Sequence, residues 1–67
     1  MKFAERFNEI LRTSGKSQAE IASAVGVCRQ CINDYKTGKS VPSLETLYAL
    51  CKYLDISADY LLGLSEY

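Results

Sequence analysis

An all-α fold, a compact orthogonal bundle of five short helices, is predicted by three features of this 67-residue sequence. Apolar residues recur at helical spacing along nearly the whole chain, and nothing alternates with period two for more than a few residues. Serines able to cap helix starts (Ser17, Ser43 and Ser57) each stand before an apolar-periodic run. Gly15, Gly26, Gly38 and Gly63 stand where those runs end, the usual place for a left-handed residue.

The first helix is expected from about Lys2 to Arg12. Phe3, Phe7, Ile10 and Leu11 share one stripe, leaving Glu5, Arg6, Asn8, Glu9 and Arg12 to face water. Thr13-Ser14-Gly15 ends it. Ser17, with Glu20 three residues on, makes a capping box for a second helix that closes at Val25, where Gly26 permits the turn. Cys28 opens the third helix, which runs to Tyr35 or Lys36 and stops at Thr37-Gly38-Lys39-Ser40. Val41-Pro42 follows as an extended connector. Ser43 caps a fourth helix with Leu44, Leu47, Leu50, Cys51 and Leu54 on its apolar face. Asp55 and Ile56 form the exit, and Ser57 caps a two-turn fifth helix carrying Tyr60, Leu61, Leu62 and Leu64.

Residues 1–67 are expected to form one domain, since there are no repeats, low-complexity runs or linkers. A chain this short buries only about 60% of its unfolded surface, so oligomerisation is a natural source of extra stability. No apolar stretch approaches the ~20 residues that span a bilayer, and Glu5 and Arg6 interrupt any signal-peptide core. A cytoplasmic location, with no membrane association, is the expectation. Net charge is zero, but its distribution is uneven. Residues 1–39 hold seven Lys and Arg against four acids, whereas residues 40–67 hold one base against four acids. The positive half contains the segment that carries the functional signal.

That segment is Gln18 to Thr37. Ala22, Gly26 and Ile32 stand at the spacing by which two short helices pack across a tight turn, with Ile21, Val25, Val27 and Tyr35 to bury. Such packing pushes the start of the following helix outward as a ridge beginning Cys28, Arg29, Gln30. Arginine and glutamine can read base edges in a major groove, arginine at guanine O6/N7 and glutamine at adenine N6/N7. The stretch reads as a DNA-binding helix-turn-helix.

The blocks SGKSQAEIASAVGV, CRQCINDYKTGKSVPSLETLYALCKYLDIS and ADYLLGL together resemble the lambda-repressor/Cro-like helix-turn-helix family, also called the xenobiotic-response-element type. The resemblance covers roughly residues 7–63. It implies a lambda-repressor-like DNA-binding domain with the helix-turn-helix at helices 2 and 3. The family's members are bacterial, phage and mobile-element transcription regulators that usually bind two-fold operators as dimers. Carried over by position, it implies base contacts for Arg29 and Gln30, with Asn33 and Asp34 one turn further along. It implies backbone contacts for Gln18, Thr37, Lys39 and Ser40; Cys28, at the helix start, and Lys36, freed by a departure from the family pattern, are expected to approach the backbone as well. Three positions depart from the pattern. Lys36 replaces a common glutamate, and its expected neighbour on helix 1 is Leu11, so a family ion pair is missing. Lys16 replaces an apolar residue and should weaken a contact between helices 1 and 2. Asp34 is expected to accept from cytosine N4 or to orient Arg29.

Cys28 and Cys31 admit a thiol-responsive reading, because a cysteine at a helix N-terminus can have a lowered pKa. Three cysteines without histidine cannot complete a four-ligand zinc site within one chain, so neither metal nor cofactor is expected. The five tyrosines have helical spacing and read as packing rather than as base-stacking platforms. Tyr60, Leu61, Leu64 and Tyr67 form a C-terminal apolar cluster expected to serve a homodimer interface. Catalysis is not expected: there is no histidine, no paired-carboxylate arrangement and no glycine-rich phosphate loop. The expected function is a sequence-specific, double-stranded DNA-binding repressor without a small-molecule effector domain. The alternative is an antitoxin-like or anti-repressor module that uses the same fold to hold a protein partner.

Overall fold

Each of the three capping serines starts a helix. In a computed structural model describing residues 1–67, the helices are α1 (Phe3–Ser14), α2 (Gln18–Val25), α3 (Arg29–Thr37), α4 (Leu44–Leu54) and α5 (Ala58–Leu62), and there are no strands. Ser17 accepts from the Glu20 amide at 3.1 Å while Glu20 accepts from the Ser17 amide at 2.9 Å, closing the capping box. These hydrogen bonds from Ser17 hold the Glu20 carboxyl below its ordinary pKa. Ser43 and Ser57 accept from the amides of Thr46 and Tyr60. Between α2 and α3 the chain turns at Gly26, whose φ of 78° is costly for any residue with a Cβ. The amides of Gly26 and Val27 both return to the Ala22 carbonyl at 3.0 Å, which fixes the turn.

Helix α2 packs on α3 and α4, α1 covers α3, and α5 closes over α1 and α4. Each helix contributes one large, fully buried side chain to the centre: Phe7, Ile21, Ile32, Leu50 and Leu61. Phe3 stacks on Phe7 with ring centres 5.4 Å apart, and both rings meet Tyr35 of α3 edge-on at 6.2 and 6.3 Å. This aromatic trio is the floor on which α3 rests.

Several expectations about facing change. Leu61 was expected at a dimer surface but is 0% exposed, because it is the one side chain that α5 buries outright in the core, with Tyr60 packed partly against the same cluster. Leu44 was expected on the buried face of α4 but is 85% exposed. It occupies the first helical position, beyond the reach of the neighbouring helices. Lys16 does not simply weaken a contact: its ammonium lies 5.4 Å from the Tyr53 ring centre, a cation–π arrangement.

Arg6 was expected to face water and instead ties the two ends of the chain together. Its Nη1 donates to the carbonyls of Tyr60 and Ser65, each at 2.6 Å, and its guanidinium lies 4.3 Å from the Tyr60 ring centre. The Glu66 carboxylate lies 3.9 Å away but is 89% exposed, so it adds little. Arg6→Ala strips two carbonyls of a charged donor and should lower stability by about 2–3 kcal/mol. Arg6→Lys should recover only part of this, since an ammonium lacks the planar fork. Urea midpoints for the two variants check both statements, and equal midpoints for wild type and Arg6→Ala would refute them.

Candidate nucleic-acid interface

The start of α3 protrudes because Gly26 and the extended Cys28 (φ −82°, ψ 160°) swing it away from α2. Ile32 and Tyr35 face inward, so Arg29 and Gln30 face out, both exposed. Asn33 and Asp34, one turn on, are half-buried. Gln18, at the first position of α2, comes alongside. Gln18, Arg29, Gln30 and Asn33 line one open recess of about 270 Å³ without a single apolar side chain. Residues eleven or more positions apart in sequence thus converge on one polar surface, next to a helix N-terminus whose unpaired amides favour anions.

Of these four side chains, only Gln30 has a hydrogen-bond partner. Gln30 Nε2 donates to Asp34 Oδ1 at 2.9 Å. Asp34 therefore aligns Gln30, one helical turn away, rather than Arg29, the neighbour that the sequence offered as an alternative to a cytosine contact. Arg29 has no ion pair, since Arg6–Glu66 is the single such pair in the molecule, and its guanidinium is available to an incoming acceptor.

At the other end of α3, the chain folds back on itself. The amides of Lys39 and Ser40 and the Thr37 hydroxyl all return to the Asp34 carbonyl, at 2.9, 3.4 and 3.3 Å. Thr37, Lys39 and Ser40 are all exposed along this loop. Gly38, at φ 80°, makes the reversal possible, a left-handed conformation that any residue with a Cβ adopts at a cost. Lys36 is half-buried, and α1 reaches its backbone through Asn8. Asn8 Nδ2 donates to the Lys36 carbonyl at 2.7 Å and to the Ala4 carbonyl at 2.9 Å. Its place among charged residues on α1 predicts a solvated side chain, and the structure shows otherwise. Asn8 is a positioning residue that fixes the end of α3 against α1, and only its lone polar amide among charged neighbours could have hinted at this.

Cys28 is exposed and Cys31 half-buried, with their sulfurs 3.3 Å apart. The Cys31 thiol hydrogen-bonds Cys28 and draws its pKa down, helped by nearby backbone amides, while the same bond and burial push Cys31 up. No group of three or more His, Cys, Asp and Glu side chains is placed to hold a metal ion. No helix is long and apolar enough to cross a membrane.

The C-terminal cluster does not form one outward face. Tyr60 is half-buried, lies under Arg6 and donates its hydroxyl to Glu9, a bond that raises its pKa. Leu61 is internal. Leu64 and Tyr67 are 75% and 88% exposed.

The chain is 38% identical over 60 residues to the SPbeta prophage-derived HTH-type transcriptional regulator YonR of Bacillus subtilis, covering 90% of this chain and 56% of that protein. It is 32% identical over 63 residues to the cryptic phage CTXphi transcriptional repressor RstR of Vibrio cholerae, covering 94% of this chain and 56% of that protein. The chain thus spans little more than half the length of these curated relatives. Its structure resembles that of the P22 c2 repressor, solved in complex with a synthetic operator, with a TM-score of 0.84 and 31% identity. That match covers 91% of this chain and 92% of the other. Residues 9–61 match the family described as helix-turn-helix, and the chain belongs to that family.

Proposed function

We propose that this chain is a sequence-specific, double-stranded DNA-binding domain of a transcriptional regulator, acting as a repressor. The observation that carries this is the recess in which Gln18, Arg29, Gln30 and Asn33 converge at the protruding end of α3. The likeness to a repressor solved on its operator supports the same reading. Helix α3 lies in the major groove, where Arg29, with its free guanidinium, and Gln30, pre-aligned by Asp34, meet base edges. Asn33 reaches the next base, and Asp34 acts chiefly through Gln30. Gln18, Cys28 and Lys36 approach one stretch of backbone, while Thr37, Lys39 and Ser40 hold the adjoining phosphates.

A second copy completes the reading of a two-fold operator, placing two α3 helices roughly 34–36 Å apart. Leu64 and Tyr67, exposed and apolar-rich, are the residues of the C-terminal cluster left for that contact.

Selection of binding sites from random DNA, followed by gel-shift titration, tests the function. Arg29→Ala should cost about 1–3 kcal/mol on the selected site and relax the preference at one position. Lys39→Ala should weaken all sequences alike and reduce the salt slope by about one. A selection that enriches no sequence, with no retarded complex even at low salt, overturns the reading in favour of a protein-binding module.

A further inference from the structure

We propose that Cys28 and Cys31 are an oxidation site, a dithiol that closes to a disulfide around Arg29 and Gln30 and so weakens sequence reading. This rests on the DNA-reading role above and adds a regulation of the same surface. The pair brackets the two residues assigned to base contact, and its sulfurs are already in hydrogen-bond contact at 3.3 Å. A disulfide needs about 2.0 Å, so closure demands only a small approach. The two thiols are also unequal in the way such chemistry requires. Cys28 is exposed, with its pKa drawn down by the hydrogen bond from its neighbour, whereas Cys31 is half-buried, with its pKa pushed up by that same bond and by burial. Cys51, half-buried on α4, has its thiol pushed up by burial and is not part of the pair.

With hydrogen peroxide as the oxidant, the Cys28 thiolate attacks one peroxide oxygen and the O–O bond breaks. Hydroxide leaves and takes up the proton that Cys28 gave up on ionising, forming water, and Cys28 becomes a sulfenic acid. The Cys31 sulfur then attacks the Cys28 sulfur. The S–S bond forms, the S–O bond breaks, and water leaves with the proton from Cys31. Two thiols and one peroxide have become one disulfide and two waters. Two thiol reductants reverse the change by exchange, becoming a disulfide themselves.

Closure acts on DNA reading through geometry. Cys28 is the extended residue preceding α3, and Cys31 lies in its first turn. Bonding the two sulfurs closes a covalent ring through the Arg29–Gln30 backbone, so that segment loses the freedom to adjust its two side chains to base edges. The Lys39 loop at the far end of α3 is untouched. Affinity for the selected site should therefore fall at least about fivefold, the loss of one good base contact, while binding to unrelated DNA at low salt holds.

The test compares reduced protein with protein treated with diamide, which oxidises thiol pairs, on the DNA selected by the reduced form. Oxidised protein should lose the mass of two hydrogens, retain one alkylatable cysteine of the three, and bind the selected site more weakly until dithiothreitol is added. Cys31→Ser should bind normally when reduced and be indifferent to diamide. A disulfide that forms without changing specific affinity overturns the proposal and leaves the DNA reading standing, as does failure of the disulfide to form. Reduced protein that binds no DNA overturns both.

Discussion

Phe7→Ala should cost about 3–5 kcal/mol and leave much of the domain unfolded at physiological temperature. Phe7 is 0% exposed and joins two aromatic contacts, stacked on Phe3 and edge-on to Tyr35. Truncation forfeits the transfer of a whole ring, opens a cavity beneath α3, and breaks two pairs worth about 0.5–1.5 kcal/mol each. A 67-residue domain has a total stability of only about 3–10 kcal/mol, so the loss is comparable to the whole. Near the midpoint, each kcal/mol shifts Tm by about 4–8 °C in a domain this small. Thermal unfolding followed by circular dichroism should show a fall of more than ~10 °C. Phe7→Leu keeps most of the volume and should lose far less. The consequence reaches the DNA surface because Tyr35, the partner of Phe7, is the underside of the helix that presents Arg29 and Gln30. A variant that stays folded but loses specific affinity would still fit this route. An unchanged midpoint would not.

What the sequence made legible was mostly local. The Ser17–Glu20 box, the Ser43 and Ser57 caps and the glycine stops each depend on residues within a turn of one another, so spacing alone reveals them. The convergence of Gln18 with Arg29, Gln30 and Asn33 was legible through the turn at Gly26 and the resemblance that turn carries. Long-range contacts to backbone were not. Arg6 finds carbonyls 54 and 59 residues away, and Asn8 finds one 28 residues away. A carbonyl has no side-chain identity, so no pattern in the sequence marks it as a partner. Both residues were therefore assigned to solvent. Leu44 failed for another reason: periodicity gives the direction a side chain points, not whether anything stands opposite. The Gln30–Asp34 bond is a true i,i+4 pair and was within reach of spacing, but the charge of Arg29 drew Asp34 to the wrong neighbour.

Leu61→Ala separates the core from the surface of the C-terminal segment. Helix α5 is only five residues long, and Leu61 is the side chain by which it closes the bundle. Removing it should cost about 2–5 kcal/mol, with the spread set by how far α5 can collapse into the gap. Because Leu61 is 0% exposed within a single chain, that loss should not depend on protein concentration. Leu64 lies past Gly63, whose φ of 86° turns the chain outward, and it is 75% exposed. Leu64→Ala should therefore change the stability of one copy by no more than about 0.5 kcal/mol. If Leu64 and Tyr67 meet a second copy, the same substitution should raise the concentration needed for dimerisation, read by sedimentation. Unfolding midpoints measured over a range of concentrations distinguish the two positions directly. A Leu61→Ala loss that vanishes as concentration rises would return Leu61 to the interface, and a concentration-independent loss of the expected size keeps it in the core.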